Sequence, residues 1–374
     1  MCGQDAVDYS DDERVVMTLD AGGTNFVFSA MQSNRAATEP FALPSHGSDL
    51  ERSLKTILGG FDRVRQQAPS PPVAISFAFP GPADYENGII ASPRNLPAYR
   101  NVALGPILED TFGLPVFLNN DGDLFTYGES MAGLLPFVNR MLERAGSPKR
   151  FHNLLGVTIG TGLGGGIVRN GELFKGDNSI AGEMWLLRSK ADPFRNAEEQ
   201  VSIRAVRRAY AQLAHIGLCE TPEPKEICDI AEGRGEGDRA AAVEAFRRLG
   251  EAAGDAITQA VTLVDGLVVI GGGVSGAHSL FLPALVDEMN ATFLAPDGTR
   301  FRRLVQKTFN LEDAVQLKQF IQGEPQELYV PGGTRRVRFD ALQRTGVGLS
   351  RLGTSQAIAI GAYTFALKQL DIGS

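Results

Sequence analysis

The chain has 374 residues, which is long enough for two domains of ordinary size. Its 44 acidic residues outnumber its 36 Lys and Arg residues, and the formal net charge of −8 disfavours binding to nucleic acid or to an anionic membrane. Apolar residues make up 43% of the chain but occur in runs far shorter than the roughly 18 residues of a membrane span. We therefore expect neither nucleic acid nor a membrane as a partner.

The cysteine content and the N-terminal residues predict a cytoplasmic protein. The three cysteines, Cys2, Cys219 and Cys228, cannot form a disulfide framework and do not fall at zinc-ligand spacing. The N-terminal segment lacks the basic and then apolar order of a secretory signal. The 43 glycines are concentrated in a few loops, and those loops are where we look for function.

The N-terminal half predicts one α/β domain. Residues 1–13 are acidic and weakly apolar, which is typical of a disordered tail. A strand, a glycine turn and a second strand are then predicted from VVMTLDAGGTNFVFSAM, and apolar spacing predicts a helix over residues 50–67. The order continues as strand, short helix, strand and helix in PVAISFAFPGP, PILEDTFG, PVFLNN and DGDLFTYGESMAG. We assign residues 14–137 to this domain, completed by a C-terminal helix over residues 357–374.

The second half opens with the same unit as the first. A break in the apolar pattern over residues 138–152 indicates a domain boundary, and NLLGVTIGTGLGGGIVRNGELF then repeats the strand, glycine loop and strand. A helix over 240–263, a strand in GLVVIGGGVSG and a helix in AHSLFLPALVDEMN follow. We assign residues 138–356 to the C-terminal domain, with an extra segment at 296–350 that contains a predicted hairpin. The repetition predicts a duplicated α/β architecture with a cleft between its halves.

The first glycine loop fits phosphate and magnesium chemistry. Asp20 ends a strand, and Gly22, Gly23 and Thr24 follow, so that backbone amides could approach an oxyanion while the carboxylate holds a metal ion, usually through water. An ordinary hairpin turn is the alternative interpretation.

Two further glycine loops match G-x-G-x-x-G by letter. The loop at Gly160 runs into a hairpin instead of a helix, so we interpret it as a phosphate cradle and not as a dinucleotide site. The loop at Gly271 does follow a strand and precede a helix. It suits either a dinucleotide enzyme or a turn on which a nucleoside lies.

The ordered series LDAGGTN, AFPGPAD, LNNDGD, IGTGLGGGI, AGE and VIGGGVSG resembles the ROK family of sugar kinases and repressors. The resemblance implies a duplicated ribonuclease-H-like/actin-like ATPase fold with the active site in the cleft between two domains. The nucleotide-binding residues that it implies are Asp20, Gly22, Gly23, Thr24, Gly160, Thr161, Gly162, Gly164, Gly271, Gly272 and Gly273.

The resemblance also implies a sugar site. Asp121 stands in the place of the catalytic base and Asn120 in that of a sugar ligand, although Asp121 could equally be a helix N-cap unless Asp123 takes that role. Sugar contacts are implied for Glu183 and for Glu198, with Glu199 as the alternative to Glu198. Pro80 and Gly81 would shape the loop over the sugar.

The chain departs from the family pattern at one motif. Family kinases commonly carry E-x-G-H and a cysteine-rich zinc loop, whereas this chain reads Glu183-Met184-Trp185-Leu186 and has no cysteine before Glu198. We therefore expect no zinc. The loss of the His puts glucose in question as the substrate, and Trp185 could offer an apolar face to a sugar or pack in the core.

Together these features predict an ATP- and Mg²⁺-dependent kinase that phosphorylates the 6-hydroxyl group of a hexose or a hexose derivative. The segment before the first glycine loop is too short for the helix-turn-helix of the family's repressors. A non-catalytic sugar-binding regulator is the alternative, and an NAD(P)-dependent oxidoreductase comes third. The resemblance suggests a homodimer or homotetramer.

Overall fold

The structure is a computed structural model that describes residues 8–373, so part of the predicted tail, residues 1–7, lies outside the described residues. The strands are β1 (Val16–Ala21), β2 (Asn25–Gln32), β3 (Arg35–Ala36), β4 (Phe41–Pro44), β5 (Ala74–Ala78), β6 (Ala83–Asp84), β7 (Ile89–Ile90), β8 (Val116–Asn119), β9 (Asn153–Ile159), β10 (Leu163–Arg169), β11 (Glu172–Leu173), β12 (Leu267–Gly271), β13 (Thr292–Leu294), β14 (Arg300–Arg302), β15 (Lys307–Asn310), β16 (Pro325–Tyr329), β17 (Arg336–Asp340) and β18 (Arg344–Leu349). The α-helices are α1 (Leu50–Gln67), α2 (Leu104–Phe112), α3 (Asp121–Met131), α4 (Leu134–Arg144), α5 (Ile203–Leu213), α6 (Pro224–Ala231), α7 (Arg239–Val264), α8 (His278–Met289), α9 (Ala314–Gln322) and α10 (Thr354–Gly373).

The chain divides into two compact units. The first comprises the chain up to Gly133, Gly166–Gly182 and the chain from Leu352 onward, and the second comprises Leu134–Gly165 and Glu183–Arg351. Helix α4 begins the second unit at the place where the sequence predicts a break. Its buried residues Leu134, Leu135, Val138 and Leu142 follow helical spacing, and the charged residues that interrupt the apolar pattern lie on its exposed face.

The first unit is built on a mixed sheet in the order β3-β2-β1-β5-β8, with β4 paired to β2. Strands β1 and β2 form an antiparallel hairpin, and β1, β5 and β8 run parallel. Helix α1 covers one face through Ile57, Phe61 and Val64, which are buried in an aromatic-rich core. It begins at Asp49, whose side chain accepts a hydrogen bond from the Arg52 amide, and its bounds are those predicted from the apolar spacing.

Helix α10 covers the other face of this sheet and packs closely on α3. A Cβ at Gly128 would collide with the carbonyl oxygen of Ala357, and one at Gly361 would collide with that of Leu124. Two glycines therefore permit this close helix crossing. The described end of the predicted tail is packed as well, because Tyr9 is 2% exposed and its hydroxyl donates to Asp371 Oδ2 at 3.0 Å.

The second unit holds most of a sheet in the order β11-β10-β9-β12-β18-β15. Strands β9, β12, β18 and β15 run parallel. The turn between β10 and β11 is the predicted Asn170-Gly171 turn, with both residues at positive φ. A hairpin followed by parallel strands thus occurs in both sheets, which is the duplicated α/β architecture that the sequence predicts.

The extra segment adds two antiparallel hairpins, β13–β14 and β16–β17. Tyr329 pairs with Arg336, so the predicted hairpin around Gly332 and Gly333 is present, and its strands are largely exposed. None of the helices within residues 8–373 is both long enough and apolar enough to cross a membrane.

Candidate active site

The first unit brings Asp20 and Asp121 to the same edge of its sheet. In the parallel register Asp20 lies beside Ala78, and Ala78 lies beside Asn119, so these three residues form one row at the carboxyl ends of β1, β5 and β8. Residues in one row point to the same face of a sheet. Asp121 follows this row as the first residue of α3. The carboxyl edge of parallel strands is where ligands bind in open α/β sheets.

Asn119 is a member of this row that sequence reasoning missed. Its side chain is fully buried, and neither its amide nitrogen nor its carbonyl oxygen has a hydrogen-bond partner in the protein. A buried amide without hydrogen-bond partners costs stability, so its presence at this edge indicates that the row has a role besides packing in the core. The alternation of the strand, which places residue 119 on the same face as residue 117, was the available signal.

Two hydrogen bonds from Ser45 fix the backbone of the first glycine loop. The Ser45 hydroxyl donates to the Gly23 carbonyl at 2.6 Å, and the Ser45 amide donates to the Thr24 carbonyl at 3.0 Å. Gly23 and Thr24 are exposed. A Cβ at Gly22 would lie 2.8 Å from the Asn25 carbonyl oxygen, which explains why this tight turn uses glycine.

The structure shows which residue caps the N-terminus of α3, and it is neither Asp121 nor Asp123. The N-cap is Asn120, whose Oδ1 accepts from the Gly122 amide at 2.8 Å, and Asp121 Oδ1 accepts from the same amide at 2.9 Å. Asp123 is buried inside the helix and is not the cap. Asn120 therefore has a structural role here, while the exposed Asp121 keeps its second oxygen outside this cap.

Burial raises the pKa of both Asp20 and Asp121. Desolvation is the cause for Asp20. For Asp121 desolvation is the largest cause, repulsion from the Asp20 carboxylate adds to it, and the hydrogen bond from the Gly122 amide lowers the pKa. The Asp121 carboxylate is reachable by water, yet the surrounding protein reduces its hydration. Among residues 8–373 no cationic side chain stabilises either charge, so this pair suits a bound cation or proton transfer.

The loop at Pro80 and Gly81 follows β5 in the same unit. Both residues are partly exposed. The Tyr85 hydroxyl donates to the Phe79 carbonyl at 2.9 Å, and a Cβ at Gly81 would lie 2.9 Å from that hydroxyl. Tyr85 therefore fixes the shape of this loop from the buried side.

The other two glycine loops lie together in the second unit, at the ends of the neighbouring strands β9 and β12. Thr158 pairs with Gly271 in register, and the Val274 amide donates to the Ile159 carbonyl at 3.1 Å. Gly272 has a φ of +90°, and any side chain there would strike the backbone of Ile159. The predicted residues that the structure brings together here are Gly160, Thr161, Gly162, Gly164, Gly271, Gly272 and Gly273.

Glu198 contacts the second glycine loop directly. Its Oε2 accepts a hydrogen bond from the Leu163 amide at 3.1 Å, and its Oε1 pairs with Arg204 at 3.0 Å. Glu199 pairs with Arg208 instead. Of the two glutamates left open by the sequence, Glu198 is the one placed at a predicted site.

The side chain of Glu183 is hydrogen-bonded within the Glu183–Leu186 segment. The indole N–H of Trp185 donates to Glu183 Oε2, and Trp185 is half-buried, so it does not take the core position that was one of its two alternatives. Leu186, which replaces the family's His, is 60% exposed. Within the part of the chain that the structure describes, no group of three or more His, Cys, Asp or Glu side chains could hold a metal ion.

Comparisons with known proteins agree with this arrangement. A sequence model of the ROK family matches residues 16–310. A glucokinase structure from Parabacteroides distasonis is 50% identical, with a TM-score of 0.90 over 96% of this chain and 99% of that one. An N-acetyl-D-glucosamine kinase from Vibrio cholerae is 28% identical over 70% of this chain and 85% of its own length.

A third similarity concerns a structure with ligands. A ROK family glucokinase from Streptomyces griseus, solved with glucose and AMPPNP, is 19% identical, with a TM-score of 0.59 over 93% of this chain and 98% of that one. At this identity the likeness shows the fold alone. The predicted fold class, a duplicated ribonuclease-H-like/actin-like ATPase fold, is confirmed.

Proposed function

The chain belongs to the ROK family, and from that premise we propose that it is an ATP-dependent kinase of a hexose or a hexose derivative. Similarity to proteins named glucokinase and N-acetyl-D-glucosamine kinase supports this substrate class. The observation that carries the proposal is the Asp20 and Asp121 pair, two carboxylates at one sheet edge whose pKa values are both raised and which no cationic side chain in the described part of the chain neutralises.

Asp121 is the catalytic base of this proposal. In the reaction the oxygen of the sugar 6-hydroxyl forms a bond to the γ-phosphorus of ATP. The bond from that phosphorus to ADP breaks, and the hydroxyl proton passes to Asp121. A raised pKa makes this carboxylate a better proton acceptor than an ordinary aspartate. Asn120 acts as a sugar ligand beside it through the part of its amide that the helix cap does not use.

Mg²⁺ fits the residues present in the first unit. Magnesium is usually held by one or two carboxylates together with substrate phosphates and water, and Asp20 supplies an exposed carboxylate that forms no ion pair with the residues the structure describes. Asp20 would hold the ion, through water. When bound, Mg²⁺ neutralises negative charge on the transferring phosphates.

The nucleotide and the sugar also require the second unit. The amides of the loops at Gly160 and Gly271 bind phosphate and adenosine in this proposal, and the loop at Gly22 binds phosphate from the first unit. Glu183 and Glu198 accept hydrogen bonds from sugar hydroxyls. Pro80 and Gly81 shape the loop over the sugar.

The test is ADP release with Mg-ATP across a panel of hexoses, ketohexoses, amino sugars and N-acetylated sugars. Turnover with one class identifies the reaction and the substrate together. Sugar binding in a calorimeter without any turnover would instead support the non-catalytic regulator, and no observation favours the oxidoreductase. An oligomeric state, a location in the cytoplasm and independence from zinc stay predictions.

A further inference from the structure

The segment Glu183–Leu186 carries a contact that its amino-acid pattern did not reveal. Met184–Leu186 forms a 3₁₀ turn anchored by Met184, which is 3% exposed. The turn places the Trp185 indole so that its N–H donates to Glu183 Oε2, and it leaves Leu186 60% exposed. Two large apolar side chains and one carboxylate therefore share a short partly exposed segment.

We propose that Trp185 determines sugar specificity by positioning the Glu183 carboxylate and by presenting its half-exposed ring to the sugar. This inference rests on the proposed function, in which Glu183 is a sugar ligand. A carboxylate accepts hydrogen bonds only, and the indole occupies one of its oxygens. The remaining oxygen, Oε1, is then held in one orientation to accept from a sugar hydroxyl.

The same segment lacks polar groups that would recognise a second hydroxyl. An imidazole at position 186 could donate or accept, but Leu186 does neither. The indole N–H is used by Glu183, and the rest of the ring is apolar. Recognition of the sugar at this segment therefore rests on hydroxyl groups that donate to Glu183 and on apolar contact, which favours a substrate with a C–H face or an acyl group there.

Intrinsic fluorescence tests the location of the contact, because Trp185 is the only tryptophan of the chain. Titration of the wild-type protein with the sugar that binds best in a calorimeter is expected to shift or quench the emission with the same midpoint as the heat signal. Calorimetric binding with unchanged emission would overturn the proposal even if the kinase activity stands.

Two substitutions test the mechanism. Trp185→Phe removes the N–H and keeps an apolar ring, and it is expected to raise KM for the sugar about 10-fold while kcat and KM for ATP change less than about 3-fold. Trp185→Leu removes the ring face as well and is expected to raise the sugar KM further. Phe194→Ala is the control, since Phe194 is 97% exposed in the following loop.

The outcomes separate this proposal from the proposed function. Turnover with an unchanged sugar KM in Trp185→Phe overturns the specificity role and leaves the kinase intact. An equal loss in kcat and in ATP binding would show a structural role only, and it also overturns the proposal. Sugar binding that weakens in Trp185→Phe without any turnover in the wild type supports the specificity role and rejects the kinase.

Discussion

The first and second glycine loops have the same strand, loop and strand arrangement, but they carry charge in different ways. The first loop has a carboxylate within its own strand, Asp20, and this group has a raised pKa with no cationic side chain of residues 8–373 beside it. In the second loop Gly160 follows the strand, and the carboxylate comes from Glu198, which is tied to the Leu163 amide and to Arg204.

This difference separates two tasks within one duplicated design. A carboxylate without a neutralising partner is available to hold a cation or to raise the pKa of a neighbouring acid. Asp20 raises the pKa of Asp121 in this way. A carboxylate already paired with Arg204 adds little net charge, so the second loop can receive an anion without strong repulsion. In the proposed function the chemistry therefore belongs to the first loop and ligand placement to the second.

The largest expected effect comes from removing the base. Asp121→Asn keeps the oxygen that accepts from the Gly122 amide, so the helix start is preserved. We expect kcat to fall about 10²- to 10⁴-fold while ATP and sugar still bind in a calorimeter. Turnover close to that of the wild type would show that Asp121 is not the base.

Removing the carboxylate of the first loop tests the proposed metal ligand. Asp20→Asn is expected to lower kcat roughly 10²-fold and to move the midpoint of a Mg²⁺ titration of activity to higher concentration. Asp62→Asn, which removes an exposed carboxylate from α1, is the control and should change neither quantity. A loss of kcat with an unmoved Mg²⁺ midpoint would argue that Asp20 acts without the metal.

The second loop should respond more weakly. Glu198→Gln keeps an acceptor for the Leu163 amide and loses the charge that pairs with Arg204. We expect KM for the sugar to rise roughly 10-fold with kcat nearly unchanged. Glu199→Gln is a matched control, because Glu199 pairs with Arg208 instead, and an effect that appears only in this control would exchange the two roles.

The spacing of apolar residues and the turn residues predicted most of the fold. The first hairpin, helix α1 over residues 50–67 and the Asn170-Gly171 turn appear where the pattern predicts them, since each depends on neighbouring residues alone. Helix α4 was missed because its exposed face carries Arg140, Glu143 and Arg144, which look like a break when the four buried positions are not aligned at helical spacing.

The site was less accessible to sequence reasoning, because side-chain direction depends on local geometry. Glu198 and Glu199 differ in their partners because a single 3₁₀ turn, Ala197–Glu199, sends the two carboxylates to different arginines. The placement of Asn119 required the register between three strands. Local motifs therefore identified the loops but not which neighbouring side chain enters them.

The smallest effect should be a gain in stability. The pKa of Asp121 is raised in the folded protein, so the folded state binds this proton more tightly than the unfolded state, and this difference lowers the free energy of unfolding at neutral pH. Asp121→Asn removes this cost. Because Asp121 is exposed to solvent, we expect Tm at neutral pH to rise by only roughly 1–3 °C.

The pH dependence identifies the source of that gain. As the pH falls toward the ordinary Asp pKa of about 3.9, Asp121 becomes protonated in both states and the advantage of Asn should disappear. Thermal unfolding of the wild type and Asp121→Asn, measured side by side across this range, checks the sign. A variant with equal or lower Tm at neutral pH would mean that the hydrogen bond from the Gly122 amide outweighs desolvation, and Asp121 would then resemble Glu198 in being a carboxylate stabilised by its hydrogen bonds.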